Sequence, residues 1–551
     1  MAKLVKALGN MLRAAARDPL KTLLVLLMSP LAAGGYLAKV LVLTIVIFFV
    51  LYDVIELAIS PLHLDRNFPV QAAIDAFVIV VAIALLWRWL TGPLLRHFGE
   101  TSSDTHGTAR FATPREIADF MDNPAGLLIG RDAKTRKPLR YSGRSHLLTI
   151  APTRSGKGVG TIIPNLLTAN RSVICIDPKG ENTRITARAR SLFGPVHVLD
   201  PFGITGCTSS TFNPFASFDI GSLDIAEDAA SLADALVYDA PGETGETHWN
   251  EEAKALIAGI ILYVAAEEPE ERRTLATVRE HLTAAPDDFA ALLTRMQRTS
   301  AAGNLIARAA NRQLGKDGRE AAGVLSTAQR HTHFLDSPRM TAVLGHSDFT
   351  FGAMKSRAAS VFLVLPPDRL ATYARWLRLM VTQSLQDIIR TPAAPNVRVL
   401  YLLDEFAALG HLPPVERAMG LMAGYGVQLW PILQDIHQLR DIYGQRAGTF
   451  LSNAGVLQVF SVNDHDTARL VSDLLGQGTI VFETTGRNLD SEKTGLSYSE
   501  QHTGRPLLTP DEVRNLPESR SLLFIAGRRP ILARKLRYYA DAEFSGYFDA
   551  S

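Results

Sequence analysis

Apolar and polar positions are distributed unevenly along this chain. From Thr22 to Tyr52 the only formal charge is Lys39, and Val40–Tyr52 is apolar throughout except for Thr44. A second run, Phe68–Trp87, carries a single charge, Asp75. A bilayer-spanning helix needs about 20 mostly apolar residues, so spans are expected at about 33–56 and 68–90. Pro30 and Gly34-Gly35 blur the start of the first, and the 22–38 stretch reads as a lead-in, an interfacial helix or a third span. Lys39 and Asp75 are expected near an interface or a helix contact, with an intramembrane role as the alternative.

Charge sets the topology. Lys3, Lys6, Arg13, Arg17 and Lys21 precede the first run against one Asp18, and Arg88 and Arg96 flank the second. Between the runs lie Asp53, Glu56 and Asp65 with only Arg66. The positive-inside rule puts both ends in the cytoplasm and a short loop outside.

After Arg96 the pattern changes. Thr101–Asp104 reads as a linker. Beyond it, short β-branched runs alternate with helical periodicity: His146–Ile150, Ser172–Ile176, Val196–Leu199, Ser360–Leu365, Val397–Leu403, Gly426–Ile432, Val456–Ser461 and Ser521–Ile525. That alternation predicts an α/β domain with a parallel sheet. From about 205 to 347 the strand signal stops, and Asn250–Glu267, Asp287–Thr299 and Ala301–Gln313 carry helical patterns. Three parts are expected: a membrane anchor over 1–96, an α/β domain over 97–204 and 348–551, and an all-α insertion over 205–347.

Composition sharpens this. At 551 residues the chain exceeds a single core. With 57 Lys+Arg against 55 Asp+Glu its net charge is +2, which excludes a global basic field for nucleic acid. Two cysteines, Cys175 and Cys207, exclude a disulfide scaffold. A mean hydropathy of +0.08 is accounted for by the first ~90 residues.

The strongest chemical signal is Ala151-Pro-Thr-Arg-Ser-Gly-Lys-Gly158, between an apolar strand and a helix. A phosphate-binding loop needs a glycine turn whose N–H groups wrap phosphates, a lysine to reach the terminal ones, and a helix N-terminus behind them. Gly156 and Lys157 fit, and Thr153, Arg154, Ser155, Gly158 and Val159 complete the expected nucleotide contacts. Two positions depart from the strict pattern: Ala151 replaces the first glycine, and Gly158 stands where a Mg²⁺-binding hydroxyl belongs. The second half of the site is Val397–Leu403, an apolar strand ending in Asp404-Glu405. Asp404 is expected to hold Mg²⁺ through water and Glu405 to polarise the attacking water. A third strand ends at Gln434, placed to sense the γ-phosphate. Together these point to ATP and Mg²⁺.

These residues resemble those of the coupling-protein ATPases of type IV secretion and conjugation systems. The likeness runs along nearly the whole chain: His106–Arg110, Ala151–Gly158 with the Val-Gly-Thr-Ile-Ile-Pro-Asn that follows, Asp177–Glu181, Leu402–Phe406, Gln428–Gln434, Arg505–Val513 and Lys535–Tyr539. It implies an α/β, RecA-like P-loop nucleotide-binding domain with an inserted all-α domain and an N-terminal transmembrane hairpin. It further implies a homo-hexamer at the bacterial inner membrane, meeting the secretion-channel proteins and the system's other ATPases. Lys157, Asp404, Glu405 and Gln434 carry over as catalytic and metal-holding residues. Thr161 is weighed as a substitute hydroxyl or as helix packing. A neighbouring subunit is expected to supply a cation, with Arg110, Arg375 and Arg378 as candidates, each weighed against a structural role that fits it better.

Relatives of this kind deliver protein effectors, relaxase-bound single-stranded DNA, or both. Glu267–Arg339 holds ten acidic and eleven basic residues, no phosphate funnel. The reading therefore leans toward protein cargo met by the all-α domain, with single-stranded DNA kept open. His248 and Trp249 could touch a partner or form a buried helix start. Two alternatives remain: a DNA pump of the chromosome-translocase kind, and a non-hydrolytic nucleotide-binding membrane scaffold.

Overall fold

The computed structural model describes residues 106–550, except 122, 239–246, 393–397 and 488–495, and scattered positions between 46 and 81. The spans expected at about 33–56 and 68–90 lie largely outside the described residues. Of the positions described there, Val46, Phe49, Val54, Phe77 and Val80 are helical with exposed side chains. Among the described residues no helix is long and apolar enough to cross a membrane. The chain divides into two compact units, Met1–His106 with Val481–His502, and Gly107–Ile480 with Thr503–Ser551.

The second unit is built on an 11-stranded sheet. Its strands are β1 Leu127–Arg131, β2 Pro138–Tyr141, β3 His146–Ile150, β4 Val173–Asp177, β5 Val196–Leu199, β6 Ser360–Val364, β7 Val399–Leu403, β8 Val427–Leu433 and β9 Ala454–Val459, then β12 Arg520–Ile525 and β13 Ile531–Arg534. A separate two-stranded ribbon pairs β10, Gln477–Arg487, with β11, Leu496–Pro506. The sheet order is β2-β1-β13-β12-β9-β3-β8-β7-β4-β6-β5. Pairing is parallel from β9 to β5 and antiparallel from β9 back to β2.

Strands covered on both faces become continuous apolar runs, and β3, β4, β6, β7, β8 and β9 are buried at every position. Their few polar side chains are partnered, as burial demands. Thr149 donates to Gln458 Oε1 at 2.9 Å and accepts from Trp430 Nε1 at 2.8 Å. His146 accepts from the Leu429 N–H and meets the Ala418 carbonyl at 2.9 Å, and burial lowers its pKa so that it stays neutral. All eight strands expected from the apolar runs form. β1, β2, β13 and the ribbon were not expected.

Between β5 and β6 every described element is helical, from Ile225–Leu236 to Pro338–Val343. The longest, Thr247–Glu267, buries Leu256, Ile257, Ile260, Ile261 and Val264. It crosses Leu305–Leu314 so closely that a Cβ on Gly259 would stand 2.3 Å from that of Ala309. Glu252 ties the same helices electrostatically, meeting Arg312 Nη2 at 2.5 Å and Lys316 Nζ at 2.6 Å. Trp249 packs with its ring 2.6 Å from the Cβ position of Gly323, while His248 is exposed beside Glu320.

Candidate nucleotide-binding site

A parallel sheet presents its binding crevice at the carboxyl ends of its strands. β3 ends at Ile150, and the chain turns through 151–157 into a π-helical turn, Gly158–Ile162, that continues as Ile163–Thr168. The turn needs left-handed backbone, taken by Arg154 (φ 62°) and Gly156 (φ 86°). A Cβ on Gly156 or Gly158 would meet nothing within 4 Å, so the cradle is open on that side. Thr153 and Arg154 are exposed, Ser155 is buried, and Gly156 to Val159 are half-buried.

Contacts from distant segments hold the loop. Ser155 Oγ donates to the Pro152 carbonyl at 2.6 Å. Lys535 Nζ donates to the Ser155 carbonyl at 2.7 Å and to Ser461 Oγ at 3.3 Å, and lies 4.8 Å from the Phe460 ring centre. Burial lowers the Lys535 pKa. A Cβ on Gly160 would stand 3.1 Å from the Leu536 carbonyl, so the C-terminal strand end can lie directly on the loop helix.

β8 lies between β3 and β7, so it separates the lysine loop from the acidic pair by one strand. Across that gap Lys157 Nζ stands 2.5 Å from Glu405 Oε1 and 3.2 Å from Asp404 Oδ1. Glu405 has left-handed backbone (φ 49°), and its N–H donates to Asp404 Oδ1 at 3.0 Å. Gln434, following β8, donates through Nε2 to Glu405 Oε2 at 3.0 Å, and its N–H is held by Gln438 Oε1. The expected Lys157, Asp404, Glu405 and Gln434 therefore converge on one spot.

Electrostatics within the cluster are differentiated. Burial disfavours the Lys157 charge, but Asp404 and Glu405 outweigh it and its pKa is raised. Burial raises the Asp404 pKa, with Lys157 opposing and Glu405 reinforcing. Burial pushes Glu405 the same way, yet the hydrogen bond and charge of Lys157, the Gln434 bond and the Lys179 charge bring its pKa below the ordinary value. The result is an ionised carboxylate in a half-buried cleft next to a fixed cation. That donor set, with the open glycine cradle, fits a nucleotide phosphate chain and a hard divalent cation.

The remaining candidates are placed elsewhere. Thr161 is fully buried and donates to Gln458 Oε1 at 3.0 Å. Arg110 is exposed and pairs with Glu116 at 2.8 Å. Arg375 reaches the Tyr238 carbonyl and His331 Nδ1. Arg378 is 2% exposed, donates to the Leu409 and His411 carbonyls and lies over the Tyr238 ring. Two residues with roles here were not singled out from sequence: Lys535, which fastens the loop, and Gln458, which bridges β3 to the loop helix. Lys535 lay inside a recognised motif, but nothing local gave it a role.

Residues 117–548 match the family described as type IV secretory system conjugative DNA transfer. A conjugal transfer protein TraG of Escherichia coli is 31% identical over 524 residues, covering 85% of this chain and 82% of that protein. Protein VirD4 of Agrobacterium fabrum is 29% identical over 513 residues, covering 89% and 73%. Among solved structures, the unbound bacterial conjugative coupling protein TrwBdeltaN70 superposes with a TM-score of 0.62 at 17% identity, covering 80% of this chain and 95% of that one. The same protein with the non-hydrolysable ATP analogue ADPNP gives 0.59, also at 17% identity, covering 78% and 94%. At that identity the likeness establishes the fold alone, an α/β architecture shared with that protein. The match over most of the chain and the 31% identical relative together show that this protein belongs to the type IV secretory system conjugative DNA transfer family.

Proposed function

We propose that the chain is the membrane-anchored coupling ATPase of a type IV secretion system, a RecA-like motor that recruits substrates and delivers them to the channel. One observation carries the ATPase reading: Lys157, Asp404, Glu405 and Gln434 converge from three neighbouring strand ends, with Glu405 ionised between the lysine and the glutamine. Support for ATP and Mg²⁺ comes from the structural relatives, described with ADPNP and with ADP and Mg²⁺.

Each residue then has a task. The 151–158 loop and the helix N-terminus behind it wrap the phosphates with N–H groups. Lys157 exchanges its carboxylate partners for phosphate oxygens and neutralises their charge. That exchange frees Glu405 to accept a proton from the attacking water, with Gln434 holding its other oxygen in place. Asp404 would hold Mg²⁺, which supplies further neutralisation of phosphate charge. Gly158 offers no hydroxyl to the ion, and Thr161 is engaged with Gln458. Of the candidates for a trans cation, Arg110 is the exposed one, while Arg375 and Arg378 are engaged within their own chain.

The proposed assembly is a homo-hexamer held by spans at about 33–56 and 68–90, with both termini cytoplasmic. The exposed helical side chains at Val46, Phe49, Val54, Phe77 and Val80 suit a lipid environment. The helices of 205–347 are proposed to meet cargo, protein effectors or a relaxase–DNA complex. Phosphate release by the full chain, with and without single-stranded DNA, tests this. Turnover supports the motor, strong stimulation by DNA shifts the cargo toward nucleic acid, and no turnover under any condition favours a scaffold.

A further inference from the structure

The opposite edge of the sheet carries a second charged site. The strands β3, β4, β6 and β7 all begin around a cavity of about 350 Å³ whose lining includes Asn123, Ser142, Asn170, Arg171, Ala358 and Arg398. It lies one strand length, about 17 Å, from the nucleotide loop. Among the described residues no acidic side chain lines it. Arg171 donates to Gln428 Oε1 at 2.8 Å and to the Ala125 carbonyl at 3.3 Å, and Arg398 donates to the Gly143 carbonyl at 3.1 Å. A guanidinium has five N–H donors, so most remain for a ligand. Exposed Arg144 stands close enough to Arg398 to disfavour its charge. Fully buried Arg190 lies behind, donating to the Arg171 carbonyl at 2.6 Å. Burial and Arg398 push the Arg171 pKa down to about 10. Among the described residues no ion pair engages Arg144, Arg171, Arg190 or Arg398. Like charges held together without a counter-ion disfavour the fold, and a bound anion relieves that cost.

The same edge receives the chain from its N-terminal segment. The β12–β13 turn lies beside the start of β9, where Ala526 N–H donates to the Gly455 carbonyl. Ala112 N–H donates to the Pro530 carbonyl, and Arg529 reaches Thr108 at 3.0 Å. From the second proposed span to Gly107 the chain has about 16 residues, which keeps this edge within reach of a bilayer. We propose that the arginine cavity binds the phosphate headgroup of an anionic phospholipid. This rests on the membrane anchor proposed above.

The test uses the full chain in phosphatidylcholine nanodiscs with and without phosphatidylglycerol, read by amide exchange at 142–145 and 170–172. Phosphatidylglycerol is expected to slow exchange there several-fold. The Arg144→Gln/Arg398→Gln variant is expected to lose that protection, at about fivefold per cation removed near an anionic surface. Its ATP turnover should be unchanged, which shows that it folds. No protection by phosphatidylglycerol overturns the site. So does equal protection in neutral nanodiscs by inorganic phosphate, which makes it a free-anion site, or by a single-stranded oligonucleotide, which makes it a nucleic-acid contact. Failure of the chain to enter nanodiscs, seen as elution without lipid, overturns the anchor and the lipid site with it.

Discussion

Lys157 and Glu405 are separated by 248 positions in sequence and by 2.5 Å in space. The pair closes the crevice between the loop after β3 and the end of β7, and both partners hold their charges. The Lys157 pKa is raised, so its contribution to stability is present below the ordinary lysine value of about 10.4 and lost as pH rises past it. The Glu405 pKa is lowered, so its contribution is present above about 4.3 and lost as pH falls. The thermal destabilisation caused by Lys157→Met is therefore expected to be largest between those limits and to shrink on either side. Melting curves across pH check this. The same variant is expected to lose nucleotide binding in a fluorescent-nucleotide titration.

Gln434 touches Glu405 from β8 and fixes the oxygen that Lys157 does not hold. Gln434→Ala is expected to leave nucleotide affinity near the wild-type value while turnover falls, on the order of 10²-fold. Steady-state kinetics separate the two, and a rise in KM with kcat unchanged would contradict the role given to this side chain.

Lys535 reaches the loop from the other side, through the Ser155 carbonyl. A hydrogen bond to a charged group contributes about 1.5–3 kcal/mol. Lys535→Met is expected to loosen the loop and weaken nucleotide binding about tenfold or more, raising KM more than it lowers kcat. Calorimetric titration with a non-hydrolysable analogue measures it.

Glu252 joins two helices of the 205–347 segment. Its carboxyl is held down to about 2 by the Arg312 hydrogen bonds, with burial opposing and Lys316 adding to the shift. A depressed carboxylate contributes stability above its ordinary pKa of about 4.3 and loses it as pH falls toward 2. Glu252→Gln is expected to lower the melting temperature at pH 7 and to cost about half as much at pH 3. Equal effects at both would show that the Arg312–Glu252–Lys316 contacts contribute by packing and not by charge.

The parts of the fold legible in the sequence were those written in hydrophobicity. β7 and β8 are apolar runs because both faces are covered, and the loop after β3 announced itself through Gly156-Lys157 although two of its positions depart from the strict pattern. The edges were silent. β10 groups Ile480, Val481 and Phe482 together and then runs through Glu483, Thr484 and Thr485, so its sequence lacks the apolar–polar alternation that marks a strand. β1 is interrupted by Gly130, whose φ of 152° and close fit against the Arg534 carbonyl only make sense once β13 is in place. Long-range polar contacts were equally hidden. Gln458 sits in an apolar strand, and its partners Thr149 and Thr161 lie some 300 positions away. Arg378 was legible as a cation, but not as one enclosed by the Leu409 and His411 carbonyls.

The most direct test of the motor is phosphate release by Glu405→Gln in the full chain, measured beside nucleotide binding. Binding is expected to stay within a few-fold of wild type. Turnover should fall by about 10²–10⁴, the usual contribution of a positioned base, with substrate transfer lost and membrane insertion intact. Normal turnover, or normal transfer without turnover, would contradict it.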